Sequence, residues 1–135
     1  MPQRRPLVLC VDDDPDIRDS MRAMLEAEGC AMAEAATAED ALRAAAIAAP
    51  DLIIVDLMME EIDAGIQFVR ELRASGAAPP VYLLSSAGDL LALSIDAASL
   101  GVVALLQKPL SQSTLRGILR QQRCLPEESP QKARS

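Results

Sequence analysis

Four short apolar runs in this chain each stop at a reactive polar residue. Residues 7–11 end at Asp12 and Asp13, residues 52–55 at Asp56, residues 81–84 at Ser85, and residues 102–106 at Gln107-Lys108-Pro109. Helix-like stretches separate them, and that alternation implies β-α-β units, hence a parallel sheet with helices on both faces. In open sheets of this kind ligands bind beyond the carboxyl ends of the strands, where the strand order reverses. All four polar stops fall on that edge. The pattern therefore predicts that Asp12, Asp13, Asp56, Ser85 and Lys108 gather at one end of one sheet.

Five strand-helix repeats fit the chain. After the first strand, Asp14 is placed to cap a helix with Pro15 in its first turn, Ile17, Met21, Met24 and Leu25 on one face, and Gly29 at its end. Residues 30–33 read as a weak second strand. Thr37-Ala-Glu-Asp40 then resembles a capping box opening an Ala-rich helix that closes at Pro50. The third strand is continuously apolar, which suits a central position buried on both faces. Residues 65–75 form the third helix through Ile66, Phe68, Val69 and Leu72, and residues 89–98 the fourth. Ser111 caps a last helix with Leu115, Ile118 and Leu119 inward.

Length and composition narrow the function. A chain of 135 residues suffices for one domain with a real core. We read 1–6 as an extension, 7–125 as the domain, and the polar, Pro-containing 126–135 as a tail expected to be disordered. With Phe68 and Tyr82 as the only aromatics, aliphatic side chains and Ala must fill the core. A net charge of −7 repels a phosphate backbone and argues against nucleic-acid binding. Cys10, Cys30 and Cys124 show no Cys-x-x-Cys spacing and read as structural thiols of a reducing cytoplasm. No apolar run approaches the roughly 18–20 residues that span a bilayer. The chain holds no histidine, so it has no His-activated nucleophile and no His ligand, and any phosphohistidine must come from a partner.

Asp12, Asp13 and Asp56 close together are costly unless a proton or cation intervenes, and an oxygen-ligated ion such as Mg²⁺ is the natural occupant. Asp14 alone satisfies the preference of a helix N-terminus for negative charge. A carboxylate such as Asp56 can form an acyl phosphate by in-line attack, with Lys108 on an equatorial oxygen and Ser85 donating to the new phosphoryl group. Pro109 after Lys108 permits a cis bond that would turn the ammonium back toward the carboxylates.

Across 7–125 these motifs resemble the receiver domain of two-component response regulators. The pieces are Val11-Asp12-Asp13-Asp14-Pro15, Asp51-Leu-Ile-Ile-Val-Asp56-Leu-Met-Met59, Pro80-Val-Tyr-Leu-Leu-Ser85-Ser86, and Leu105-Leu-Gln-Lys108-Pro109. The resemblance implies a flavodoxin-like, doubly wound sheet of five parallel strands in the order 2-1-3-4-5. It further implies that Asp56 accepts a phosphoryl group from the phosphohistidine of a histidine kinase or phosphotransfer protein. Asp13, Asp56 and the Met58 carbonyl would ligate Mg²⁺, with Asp12 acting through water, while Ser85 and Lys108 bind the phosphoryl group. Output would pass to an unidentified protein, or to a homodimer, through helix four, strand five and helix five. The tail leaves no room for an output domain, so a stand-alone receiver is expected, and an excised piece of a larger regulator is the other arrangement.

The departures are specific. Glu60 stands where the family often has proline, Ala64 is an extra residue before Gly65, and Ser85 replaces a commoner threonine. Leu105 occupies the place of an aromatic that rotates on activation in many receivers. Helix four is unusually apolar, with Leu90, Leu93 and Ala97 expected inward. Neither Met58 nor Ala87 can orient an attacking water, so a long-lived phospho-aspartate is expected. Two other readings compete: a haloacid-dehalogenase-type phosphatase with Asp12 as nucleophile and Asp14 as acid, and a receiver-like binding module that is never phosphorylated.

Overall fold

The computed structural model describes residues 5–59, 63–86 and 95–125. Five parallel strands, β1 (Leu7–Val11), β2 (Ala31–Ala35), β3 (Leu52–Asp56), β4 (Val81–Ser85) and β5 (Ala104–Gln107), form one sheet in the order β2-β1-β3-β4-β5. The described helices are α1 (Pro15–Ala27), α2 (Ala38–Ala48), α3 (Ala64–Ala74), α4 (Ala97–Leu100) and α5 (Gln112–Gln121). This is the doubly wound architecture the alternation of patterns predicts. None of the described helices is long and apolar enough to cross a membrane.

Strand geometry sends alternate side chains to opposite faces, and the core divides accordingly. Leu9, Val11, Ile53, Val55, Val81 and Leu83 pack with Phe68, Val69 and Leu72 of α3 and Ala41 of α2 on one side. Val8, Cys10, Leu52, Ile54, Tyr82 and Leu84 meet Met21 and Leu25 of α1 and Leu115, Ile118 and Leu119 of α5 on the other. The continuous apolar run of β3 is explained by this double coverage, since all five of its residues are buried. Phe68 is fully buried, and Tyr82 keeps its hydroxyl satisfied by the Gln122 amide at 2.9 Å. All three cysteines are free and buried, and burial raises each thiol above its ordinary value. They pack as small apolar groups.

The local signals are realised largely where they stand. Asp14 caps α1 by accepting from the Asp16 N–H, Thr37 caps α2 by accepting from Asp40, and Ser111 caps α5 by accepting from Thr114. Gly29, at φ 83°, follows α1 in the left-handed conformation that stops a helix.

Two strands differ from expectation. β2 starts after Cys30 and runs to Ala35, because Cys30 is still held by the Leu25 carbonyl at the end of α1. β5 begins at Ala104, not at residue 102: the Val102 N–H bonds the Ala97 carbonyl in the turn closing α4, so its apolar side chain serves the core from a turn. The fourth helix, expected over 89–98, is corrected where it is described: residues 95 and 96 are not helical, and Asp96, with extended backbone, caps a short α4 that begins at Ala97, which is half-buried against the core. Leu90, Leu93, Glu60 and Ala87 lie outside the described residues.

Candidate functional site

The order of the sheet reverses between β1 and β3, the two strands that end in acids. Val11 and Val55 are register partners, so Asp12 and Asp56 stand level on adjacent strands at the carboxyl edge. β4 and β5 continue the row: Asp56 pairs with Leu84, Ser85 with Gln107, and the Lys108 N–H donates to the Ser85 carbonyl at 2.7 Å. Chain connectivity alone thus delivers residues 44 and 96 positions from Asp12 to the same pocket.

Asp12 and Asp56 are 4% and 6% exposed, whereas Asp13 is open to solvent. Each of the three offers a carboxylate oxygen within 4.8 Å of the others, and no other such group of metal-ligating side chains occurs among the described residues. The Lys108 ammonium sits across two of them, 2.8 Å from Asp12 Oδ2 and 3.2 Å from Asp56 Oδ2. The Lys108–Pro109 peptide is cis, as its sequence allows. Backbone donors complete the pocket: the Asp14 N–H reaches Asp12 Oδ1 at 3.0 Å and the Met58 N–H reaches Asp56 Oδ1 at 3.3 Å.

The electrostatics follow from this crowding. Burial pushes the Asp56 carboxyl up, the Asp12 charge adds to it, and Lys108 with the Met58 N–H offsets only part. Burial pulls the Lys108 ammonium down, but the Asp12 and Asp56 carboxylates more than reverse this and hold it above its ordinary value. Two buried carboxylates and an exposed third with one lysine leave an excess of negative charge. All the donors are hard oxygens, so the set fits a small divalent cation that keeps some water.

Ser85 is buried at the end of β4, and among the described residues its hydroxyl makes only a long 3.5 Å bond to the Leu106 carbonyl. Met58 is 38% exposed at the rim. Asp14, by contrast, spends its carboxylate on capping α1 and faces solvent. Leu105 packs half-buried against the core.

Two features escape sequence reasoning. Gly65, at the start of α3, lies against the backbone of the phosphoacceptor candidate. A Cβ there would collide with the Asp56 carbonyl oxygen and stand 2.9 Å from both Cα and O of Leu57. Arg18, on the first turn of α1, donates to the Asp12 carbonyl at 2.7 Å. Neither contact has a sequence signal, because each depends on how a helix docks on a strand end.

A doubly wound sheet with a cluster of three aspartates and a lysine at its switch point defines the class. Within that class, the response regulator receiver domain model matches residues 8–120, and the chain belongs to that family. It is 39% identical over 111 residues to the protein-glutamate methylesterase/protein-glutamine glutaminase 5 of Myxococcus xanthus, covering 81% of this chain and 32% of the relative. To the KDP operon transcriptional regulatory protein KdpE of Escherichia coli it is 39% identical over 113 residues, covering 84% and 49%. The chain thus spans about a third and about half of these two relatives. The chemotaxis response regulator CheY4 of Vibrio cholerae superposes with a TM-score of 0.76 at 27% identity, over 88% of this chain and 99% of that one. The family is a signalling module of two-component systems, and receiver domains generally bind Mg²⁺ through acidic residues.

Proposed function

We propose that this chain is a phosphorylation-dependent switch in which Asp56 accepts a phosphoryl group from the phosphohistidine of a kinase or phosphotransfer protein. The observation that carries the reading is the Lys108 ammonium bridging Asp12 and Asp56 at the switch point of the sheet. Asp13, Asp56 and the Met58 carbonyl would hold Mg²⁺, with Asp12 contributing through water. When bound, the cation screens charge developing on the transferring group. An Asp56 oxygen forms the new P–O bond as the P–N bond to the donor imidazole breaks. Lys108 then swings to an equatorial phosphoryl oxygen, and Ser85, whose hydroxyl makes a long 3.5 Å bond to the Leu106 carbonyl, donates to another.

Output passes in the cytoplasm through protein contacts on the α4–β5–α5 side, by a partner or a second copy, with the phosphoryl group shifting the population of conformations. The phosphatase reading is weakened by Asp14, the acid it requires, being committed to capping α1.

Incubation of the intact chain with acetyl phosphate and Mg²⁺ tests the proposal. One phosphoryl group should be gained, detected by intact mass, and lost in Asp56→Ala. Continuous turnover abolished by Asp12→Ala would establish the phosphatase instead, and absence of phosphorylation with several donors would revive the pure binding module. The modified form should persist well beyond minutes after donor removal, since the exposed Met58 thioether cannot orient water. Decay within seconds, followed by intact mass, contradicts that expectation.

A further inference from the structure

Asp12 is held from four directions. Its N–H donates to the Ala35 carbonyl at 3.1 Å, its Oδ1 accepts from the Asp14 N–H, its Oδ2 from Lys108, and its carbonyl from Arg18 Nη1. The last of these contacts comes from outside the acidic pocket. The Arg18 side chain is only 17% exposed, and its Nε donates to Glu34 Oε1 at 2.8 Å. Glu34 lies on β2 opposite Cys10, and its second oxygen pairs with Arg22. Hydrogen bonds from Arg18 and then Arg22 hold the Glu34 carboxyl below its ordinary value, so it stays ionised as an anchor. A planar guanidinium with its Nε on Glu34 and its Nη1 on the Asp12 carbonyl has little freedom left.

That carbonyl belongs to the peptide unit joining Asp12 to Asp13. A peptide is planar, so fixing its oxygen also fixes the direction in which the Asp13 backbone leaves it. Asp13 is the exposed member of the acid trio and has no side-chain anchor of its own among the described contacts. We propose that Arg18, locked by Glu34, is a positioning residue that orients the Asp12–Asp13 peptide so that Asp13 meets a divalent cation beside Asp12 and Asp56. This rests on the metal-binding reading of the acid trio.

Charge and position predict opposite signs here. If Arg18 acted only as a nearby cation, removing it would relieve repulsion and tighten binding of a divalent ion. If it positions Asp13, removing it loosens binding. Titration of the full chain with Mn²⁺, followed by the electron paramagnetic resonance of the free ion, separates the two. Arg18→Met should raise the Kd by about tenfold, the usual lower range for supports behind metal ligands. Arg22→Met, which takes a cation from the same Glu34 without touching Asp12, should leave the Kd unchanged or lower it slightly. Arg18→Lys keeps the charge but cannot span both acceptors, so it should also bind more weakly than wild type.

A Kd at or below the wild-type value in Arg18→Met, with Asp13→Asn still weakened, overturns the positioning role and spares the metal site. Equal Kd values in wild type and Asp13→Asn overturn both. Should Arg18→Met fail to fold by circular dichroism, Arg18→Lys decides alone, and wild-type binding in it rejects the proposal.

Discussion

Gly65→Ala should cost this protein both stability and phosphoryl uptake, through one methyl group. The added carbon would meet the carbonyl oxygen of Asp56 and two backbone atoms of Leu57 at 2.9 Å, and none of these is the free end of a flexible side chain. Relief requires either α3 to move off the sheet or the end of β3 to move. α3 carries the fully buried Phe68 and Val69, so its displacement breaks one face of the core. Overpacking of this kind costs about 3 kcal/mol, a melting-temperature fall of roughly 12 °C in a domain of this size. A shift of about 1 Å at Asp56 would lower the initial rate with acetyl phosphate by roughly a hundredfold. Gly117→Ala is the control. It lies within α5 with nothing within 4 Å of the added carbon, and should gain about 0.5–1 kcal/mol from helix propensity with the rate unchanged. A Gly65→Ala protein that melts and reacts like wild type would show that the approach of α3 to β3 does not constrain the site.

Lys108→Met should be the second large effect, and its size depends on pH. Lys108 has its pKa raised in the folded state, so the stability it contributes is complete below its ordinary value of 10.5 and is lost as pH rises through the folded value. Asp56 is also raised, which for a carboxyl has the opposite consequence at neutrality. Its contribution is present below 3.8 and lost as pH climbs through the folded value, so ionised Asp56 works against folding at pH 7. Removing the lysine deprives Asp12 and Asp56 of their shared cation. Partly discounted for the 17% exposure of Lys108, the loss is about 2 kcal/mol at pH 7, or roughly 8 °C in Tm. The gap between variant and wild type should narrow on acidification, as the carboxyls take up protons, and close again at strongly alkaline pH, as Lys108 loses its own. Melting curves across pH in chelator check this, and a gap that is constant with pH would mean that Lys108 acts by packing alone. Mg²⁺ should restore part of the lost stability in the variant, because it supplies the missing positive charge.

The row of polar residues at the sheet edge was legible because its chemistry and its geometry are encoded in the same short segments. Asp12, Asp56, Ser85 and Lys108 each follow an apolar run, and in a parallel sheet every such run ends on the same edge. The caps at Asp14, Thr37 and Ser111 were equally legible, since a cap is a contact over two or three residues. Legibility failed where a segment's fate depended on a neighbour. Cys30 looks like strand and is held by the end of α1. Val102 looks like strand and is drawn into the turn after α4. In both cases an apolar side chain was needed in the core, and burial does not require the extended backbone that periodicity assumes.

Sequence by itself determined the class of fold, the row of polar stops and the residue types that a cation and a phosphoryl group would require, because all of these arise from local pattern and from connection rules general to parallel sheets. Tertiary structure alone decided which neighbours hold those residues in place. The Lys108 bridge, the closeness of Gly65 to the Asp56 backbone, and the line from Glu34 through Arg18 to the Asp12 carbonyl join segments between 6 and 96 residues apart. Such contacts are set by the angle and depth at which a helix packs on the sheet. Those depend on the volumes of many core side chains at once, and no single stretch of sequence carries them.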